Sequence, residues 1–546
     1  MTDRPDAVVV GERPLTADDV HAVAVAGASV ALSAAVTERL TVEREVVDAA
    51  VRQQLPIYGV TTGLGARSHL PLDAAELRTM SLRTVRGRAC ATGDPLPTEV
   101  VRAAMLARLA GFARGGSGVR PEVAEAVLAL LTHRVHPVVP STGSLGSSDL
   151  VQMAHVALVL VGEGGAEVDG RVLDGADALQ SAGLQPLLLE PKEGLALCTG
   201  SPLAAGVAAL AVHELVVAQR AGAAVIAATF EAWRAAIGVL DDRVLALRPQ
   251  PGQVEAAGLL RGALEGSGLL AAGTARRLQD PVSIRAAASV LGSLVAATDT
   301  LRQVTVDELN GSGDNPVVLD GSVVPTGNFH TPYLAVCLDA AALAVAQSAG
   351  CSVARLERLL DPTLSGLPLN LSRYSAHASG MAPLLKVAQA VVVRLRHAAA
   401  PMSLDPRMGA AGVEDDATNA ALSAERLRNV LCWHRRVLAI EALSAVQGID
   451  LLTEPVPLGA GVAALHEAVR EVSPMLDEDR SLSVDIEAVD GLLARMVLAW
   501  AARDLTSYAE RRRPSTWSAT IRLDPQLGSV ETRSWLRHPD CGCAWA

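Results

Sequence analysis

The sequence predicts a mainly α-helical protein, an elongated bundle of long antiparallel helices with a loop-rich N-terminal region that carries the candidate functional residues. Three observations lead to this fold class. Half of the 546 residues are hydrophobic but only 2% are aromatic, so the core must form by close contact between small aliphatic side chains. Apolar residues recur with the helical period along most of the chain, whereas strand signals are few and short. Glycine-rich loops separate the helical segments.

The helices are predicted from their capping residues and their apolar periodicity. Thr16 precedes the first periodic segment, and Pro121 opens a later one, as proline does in a first helical turn. Long apolar segments predict further helices at about 203–235, 284–304, 332–360, 382–400, 417–447, 460–472 and 485–512. Several exceed the usual length in globular proteins, which favours a central bundle. The runs AVVVGE and GRVLDG predict short strands.

These elements suggest three regions. Residues 1–200 form the loop-rich region, 201–512 form the long-helix bundle, and 513–546 lose the periodicity and are predicted to be a C-terminal tail. The tail contains Cys541 and Cys543, whose close spacing is a weak metal or redox signal.

Charge and composition exclude several classes of partner. The net charge is −12 with acids and bases interspersed, which argues against nucleic acid. The apolar stretch around 203–230 contains His213, Glu214 and Arg220, so we interpret it as a bundle helix and expect no membrane span. The N-terminal residues lack a signal-peptide pattern and the seven cysteines are scattered, which predicts a cytoplasmic protein with reduced thiols. No metal site is predicted.

Several glycine-containing segments follow one another in a characteristic order. They are Tyr58–Gly65, Gln279–Arg285, Glu308–Pro316, Gly327–His330, Ser365–Pro368 and Ser379–Met381. Taken together, they resemble the loops of the histidine/phenylalanine ammonia-lyase and aminomutase family, whose members carry a methylidene-imidazolone (MIO) group. The resemblance runs from about residue 10 to about residue 510.

The resemblance implies an ammonia-lyase-like fold, a homotetramer, and active sites assembled from loops of several subunits. It also implies a small-molecule, amino-acid-like substrate that loses or moves its amino group. In the family, an Ala-Ser-Gly triplet cyclises to MIO, the electrophile that captures the substrate amine, and a tyrosine removes a carbon-bound proton. Tyr58 matches that base and Glu414 a second catalytic position.

The triplet itself is altered. Between Gly146 and Asp149 the family has three residues, whereas this chain has only Ser147 and Ser148. A ring could form from Gly146-Ser147-Ser148 or from Ser147-Ser148-Asp149, but either way a residue with a side chain replaces the nitrogen-donating glycine, whose freedom the compressed turn requires. We therefore favour an unmodified loop in which the serines and Asp149 cap a helix.

Other departures agree with loss of the electrophile. Thr199 replaces the family's asparagine that hydrogen-bonds to MIO, Val282 replaces a tyrosine, and Val413 replaces a glutamine.

The substrate-binding residues are largely retained. The guanidinium of Arg285 suits a substrate carboxylate, because its planar fork can bind both oxygens. If Arg88 faces the pocket, at about the family's selectivity position, an anionic substrate group is indicated. The substrate contacts implied by the resemblance are Arg285, Asn315, Phe329, Gln279, Thr199, Arg88 and Leu64.

Each residue also has a structural interpretation. Arg285 could pair with Asp280, Arg88 could be a surface arginine, and His155 and His330 could be helix-end histidines with hydrogen-bond partners. We predict an amino-acid ammonia-lyase or aminomutase-like enzyme that eliminates or moves the amino group of an α-amino acid. Two alternatives stay open: an electrophile-free lyase or cyclase that uses Tyr58 as base and Arg285 as carboxylate clamp, and a non-catalytic family member.

Overall fold

The computed structural model describes residues 7–374, 377–404, 412–495, 519–523 and 530–534. Within this part the protein is mainly α-helical, which confirms the predicted fold class. The chain divides into two compact units. Unit 1 consists of residues 1–214, 298–342 and 399–428, and unit 2 consists of 215–297, 343–398 and 429–546. The predicted boundaries at residues 200 and 512 stay a prediction.

Unit 1 contains the shorter N-terminal helices. They are α1 Ala17–Ala24, α2 Ala34–Arg52, α3 Ala74–Arg88, α4 Thr98–Arg114, α5 Pro121–Thr132, α6 Leu150–Leu160, α7 Gly175–Ser181 and α8 Glu193–Cys198. The predicted cap of α1 is confirmed: Thr16 and Asp19 form a capping box, in which each side chain satisfies a backbone amide that the first turn leaves free. Pro121 opens α5 as expected.

The strands of unit 1 are short and form four small sheets. They are β1 Val8–Val10, β2 Val30–Leu32, β3 Thr92–Pro95, β4 His136–Pro137, β5 Pro140–Thr142, β6 Gly165–Val168, β7 Arg171–Asp174, β8 Val317–Leu319 and β9 Ser322–Val324. β1 pairs in parallel with β2, β3 pairs with β5, β4–β6–β7 form a three-stranded sheet, and β8–β9 form a hairpin. The two predicted strands are thus β1 and β7.

Four long helices contribute residues to both units. They are α9 Pro202–Trp233, α13 Ala287–Leu309, α14 Pro332–Leu360 and α17 Ala420–Asp450. Each lies within a few residues of its predicted position. The buried residues of α9 are largely alanine, valine and leucine. Such small side chains allow helices to pack closely.

Unit 2 contains the remaining elements. They are α10 Asp242–Ala246, α11 Gln253–Ala263, α12 Val282–Arg285, α15 Pro362–Ser365, α16 Ala382–Ala398, α18 Ala460–Val472 and the antiparallel strands β10 Ala519–Leu523 and β11 Val530–Ser534. The chain is also helical over 483–495. The rest of the predicted helix at 485–512, and Cys541 and Cys543, lie outside the described residues.

Two helical segments, Glu193–Trp233 and Pro332–Leu360, are long and apolar enough to cross a membrane. In the first, 94% of the most apolar stretch is buried inside the protein, which is the behaviour of a core helix.

Candidate active site

The tyrosine loop is held against helix α8. The phenol oxygen of Tyr58 accepts a hydrogen bond from the Gly65 amide at 3.2 Å. A Cβ on Gly59, whose φ is +65°, would lie 2.6 Å from Leu64 Cδ2 and 2.7 Å from Leu195 Cδ2. Leu195 belongs to α8, which ends at Cys198. The tyrosine loop therefore packs on the helix that leads directly into Thr199, and Leu64 is part of that contact.

The two serines face different partners. Ser148 is buried with φ +69°, and its Oγ accepts a hydrogen bond from the Gly200 amide at 3.2 Å and lies 3.4 Å from Thr199 Oγ1. Ser147 is only half-buried, and its Oγ donates to the carbonyl of Asp416 at 2.8 Å. The structure thus brings together Ser148 and Thr199, two residues that the sequence placed in the site.

Gly146 is where the serine loop meets the segment before α17. A Cβ there would lie 2.2 Å from Thr418 Oγ1 and 2.8 Å from the Asn419 amide, and φ is +90°. Thr418 Oγ1 donates to the Gly146 carbonyl at 3.1 Å, and the Asn419 amide donates to the Leu145 carbonyl at 2.8 Å. Glycine is required here for both conformation and space.

A buried ion pair fixes the backbone of Thr199. Arg108 donates to the Thr199 carbonyl at 3.0 Å and to Asp314 Oδ2 at 2.6 Å, and both charged side chains are buried. Asn315 follows Asp314 and accepts from the Thr326 amide at 3.0 Å. Asn315 is thereby anchored in the same loop cluster as Thr199.

Phe329 and His330 connect the loop before α14 to Ser201 and Asp416. The Phe329 carbonyl accepts a hydrogen bond from Ser201 Oγ at 3.0 Å. His330 Nε2 lies 3.0 Å from Asp416 Oδ2, which holds the pKa of that carboxyl below its usual value. The interpretation of His330 as a histidine with a partner is confirmed. Glu414, two residues before Asp416, is exposed.

The prediction that Asp149 caps its own helix, α6, was wrong. Asp149 precedes α6 but makes no side-chain capping bond there. Its Oδ2 accepts from the Ala204 amide at 3.0 Å, in the first turn of α9, and its Oδ1 accepts from Ser144 Oγ at 3.0 Å. Complete burial raises the pKa of Asp149 to about 6, against the lowering effect of these hydrogen bonds.

His155 also differs from its interpretation. It lies in the middle of α6 rather than at a helix end, and its buried Nε2 has no hydrogen-bond partner among the described residues. Burial lowers the pKa of His155.

Arg88 lies in the last turn of α3 and is half-buried. Its only hydrogen bond among the described residues is a long one, 3.4 Å, to the Thr84 carbonyl, and it has no carboxylate partner there. Burial raises the pKa of Cys198 to about 12, although the positive charges of Arg88 and Arg108 act in the opposite direction. Arg88 is therefore close enough to act on the residue that precedes Thr199.

Gln279 and Arg285 belong to unit 2, and both are exposed. Asp280, the proposed structural partner of Arg285, is otherwise engaged: it accepts from Trp233 Nε1 and from the Ala236 amide, each at 2.7 Å. Over the described ranges, the guanidinium of Arg285 makes no hydrogen bond or ion pair. The substrate roles of Gln279 and Arg285 stay predictions.

Sequence reasoning missed Arg108, Thr418 and the role of Asp416. Arg108 lies in an α4 segment that is buried on all sides, where arginine among apolar residues is the available signal, and Arg102 of the same helix carries that signal as well. Thr418 acts through contact with Gly146, which is 272 positions away and leaves no local pattern.

The residues present do not fit the MIO group. For a ring from Ser147 to Asp149, the Asp149 nitrogen would have to attack, but its N–H donates to the Gly200 carbonyl at 2.8 Å and its side chain is fixed on α9. For a ring from Gly146 to Ser148, the attacking nitrogen would carry the buried Ser148 side chain, whose Oγ is bonded to Gly200. Neither nitrogen has the freedom that a glycine would provide.

Comparisons with known proteins agree with the loop pattern. The sequence profile of the aromatic amino acid lyase family matches residues 15–471. A histidine ammonia-lyase from Symbiobacterium thermophilum is 39% identical over 491 residues, which cover 89% of this chain and 96% of that protein.

Two solved structures have a similar fold. Ergothionase from Treponema denticola, an ergothioneine-degrading enzyme, superposes with a TM-score of 0.86 at 28% identity and covers 90% of this chain and 99% of that one. Tyrosine aminomutase from Streptomyces globisporus superposes with a TM-score of 0.86 at 30% identity and covers 93% and 99%.

Proposed function

The chain belongs to the aromatic amino acid lyase family, and from that premise we propose that it is a carbon–nitrogen lyase that acts on an amino-acid-like substrate without a self-made electrophile. One observation carries the proposal. The Ser147-Ser148 loop is closed by hydrogen bonds to Gly200 and Asp416, while the tyrosine loop is retained and packs on α8, the helix that ends just before Thr199.

The proposed chemistry needs a base and a leaving amine. Tyr58 takes a proton from the carbon next to the one that bears nitrogen, the C–H electron pair forms the new double bond, and the C–N pair leaves with the amine. The amide of Gly65 stabilises negative charge on the phenol oxygen, because it donates to that atom.

Without an electrophile, the substrate itself must supply a good leaving group. A permanently cationic amine, such as a trimethylammonium, leaves as a neutral molecule and needs no capture. We therefore favour an N-alkylated amino acid over a primary one. The ergothioneine-degrading neighbour supports the view that this fold accepts substrates other than the common aromatic amino acids.

We also infer a homotetramer with sites shared between copies. The tetramer is what the family resemblance implies, and the exposed apolar residues Val336, Leu404 and Leu422 of unit 1 are candidates for burial between copies. An exposed Arg285 suits a residue that binds the substrate carboxylate in the site of a neighbouring copy. Mixing inactive Tyr58→Phe and Arg285→Gln subunits should then restore part of the activity, whereas neither variant alone is active.

The first experiment combines a mass spectrum with a substrate panel. The intact mass and the peptide covering 137–155 should be unmodified. The panel should contain primary aromatic amino acids, acidic amino acids, their N-trimethyl derivatives and ergothioneine, with release of ammonia or trimethylamine as the readout. Trimethylamine release supports the proposal. A mass lower by two waters at Gly146–Asp149 would restore the electrophile hypothesis, and no turnover of any compound would favour a non-catalytic family member.

A further inference from the structure

The chain uses lysine at only two positions, Lys192 and Lys386, among 47 basic residues. Lys386 is exposed, whereas Lys192 is 3% exposed and precedes α8. Arginine keeps its charge at every accessible pH, but a buried lysine can lose it. A protein that otherwise relies on arginine thus places one titratable lysine at a buried position seven residues before Thr199 in unit 1.

Lys192 lies in a buried polar cluster. Its Nζ donates to the Ser117 carbonyl, and its Cδ lies near Gly118. Two fully buried atoms of the same unit, Ser117 Oγ and Asp314 Oδ1, have no hydrogen-bond partner among the described residues. Lys192 has two further N–H donors, which can reach such acceptors through a water molecule.

The charges around Lys192 connect it to the candidate site. Asp314 and Arg108 act on it from the loop after α13 and from α4, and Glu43 and Arg44 act from α2. Glu193, the next residue on its own element, pairs with Arg120 at 2.9 Å. Burial lowers the pKa of Lys192 to about 8, with Asp314 opposing the shift.

The geometry of Arg108 indicates what the lysine does. A guanidinium normally binds both oxygens of a carboxylate, but Arg108 gives one nitrogen to Asp314 Oδ2 and the other to the Thr199 carbonyl. Asp314 Oδ1 is thereby left without a hydrogen-bond partner among the described residues, and the positive charge of Lys192 acts on this carboxylate. If that charge were absent, Arg108 could rotate onto both oxygens of Asp314 and release Thr199.

We propose that Lys192 is a positioning residue for the candidate site, whose positive charge keeps Arg108 divided between Asp314 and the Thr199 carbonyl and so holds the Thr199–Gly200 backbone against Ser148. This inference uses the site geometry but not the identity of the substrate. The role of Lys192 is measured by amide hydrogen exchange of the backbone and not by turnover. A negative result for Lys192 is therefore distinguishable from a negative result for the proposed function.

The test is amide hydrogen exchange of the 197–203 peptide in the full-length protein between pH 7 and 9.5. Comparison of variants at the same pH cancels the intrinsic pH dependence of exchange. Relative to Lys192→Arg, the wild type should exchange at a similar rate at pH 7 and about tenfold faster at pH 9.5, since one lost hydrogen bond to a charged group corresponds to roughly that factor. Lys192→Met should exchange faster at both pH values, and the control Lys386→Met should match the wild type.

Equal exchange in the wild type and Lys192→Met at pH 7 would overturn the proposal. Should either variant fail to fold, the wild type alone decides. Selective labelling of lysine Cε gives only two signals, and one of them should titrate near pH 8, while exchange of the peptide rises with pH more steeply than the intrinsic rate over the same range. The absence of a lysine signal that titrates near pH 8, or exchange that rises only at the intrinsic rate across that titration, would overturn it.

Discussion

The carboxylate of Asp149 accepts a hydrogen bond from the backbone amide of Ala204 at 3.0 Å, so a residue that opens α6 caps the first turn of α9. The bond joins the serine loop to the helix that follows Thr199. It also places a titratable group in the interior, where burial raises its pKa to about 6.

Asp149→Asn should remove one step in the pH dependence of stability. The pKa of Asp149 is higher in the folded protein than in the unfolded chain. Its contribution to the free energy of unfolding is therefore fully present below about pH 4 and is lost as the pH rises through about 6. A shift of this size corresponds to about 3 kcal/mol. The thermal midpoint of the wild type minus that of the variant should therefore fall between pH 4 and 6.5. A difference that stays constant across this range would contradict the assignment.

Gly146→Ala should destabilise the protein more than Gly183→Ala. Both glycines have positive φ, +90° and +70°, but a Cβ on Gly146 meets Thr418 at 2.2 Å, whereas nothing lies within 4 Å of a Cβ on Gly183. The pair separates the clash from the backbone strain, and the clash should cost about 1–3 kcal/mol more. Chemical denaturation of both variants measures the difference, and equal losses would show that Thr418 does not restrict the loop.

Ser148→Ala should reduce turnover only modestly, about tenfold or less. The variant loses the contacts of the hydroxyl with Gly200 and Thr199, but the serine forms no covalent bond in the proposed reaction. Loss of all activity, together with a wild-type mass lower by two waters, would instead show that the serine builds an electrophile. Ser144→Ala is the matched control in the same loop.

Tyr58→Phe should lower kcat by about 10²–10⁴-fold, the usual contribution of a general base, with little change in the thermal midpoint. Tyr333→Phe, an exposed tyrosine of α14, controls for loss of a phenol oxygen elsewhere. Steady-state kinetics on the best substrate of the panel measures both, and an unchanged kcat in Tyr58→Phe would exclude it as the base.

Arg88→Gln should weaken use of substrates with an anionic side group by about 10–100-fold in kcat/KM, because Arg88 has no carboxylate partner over the described ranges. Arg86→Gln is the control, since Arg86 lies on the same helix but pairs with Glu163. Equal losses for neutral and anionic substrates would mean that Arg88 supports the fold rather than selecting the substrate.

The long helices and their approximate bounds could be predicted from the sequence, because apolar periodicity over 20 or more residues depends only on local spacing. The prediction succeeded for α14 and failed for the side-chain role of Asp149, since a helix start reveals which residue precedes it but not which amide the carboxylate will reach. Ala204 is 55 positions away.

The candidate site was predictable only where its residues lie in glycine-rich loops. Ser148 and Thr199 were identified in this way, and the structure brings them together. Arg108 was not, because it is surrounded by apolar residues in α4 and acts through a backbone carbonyl. The tetramer, the cytoplasmic location and the roles of Arg285 and Gln279 stay predictions.

The contact between Gly146 and Thr418 has a consequence for biosynthesis. The serine loop is closed by a segment made 272 residues later. At about 5–20 residues per second on the ribosome, that interval is on the order of tens of seconds. During this time the loop has neither Thr418 nor Asp416 to bind, so a nascent chain of between about 200 and 410 residues carries every helix up to α8 but not a closed site.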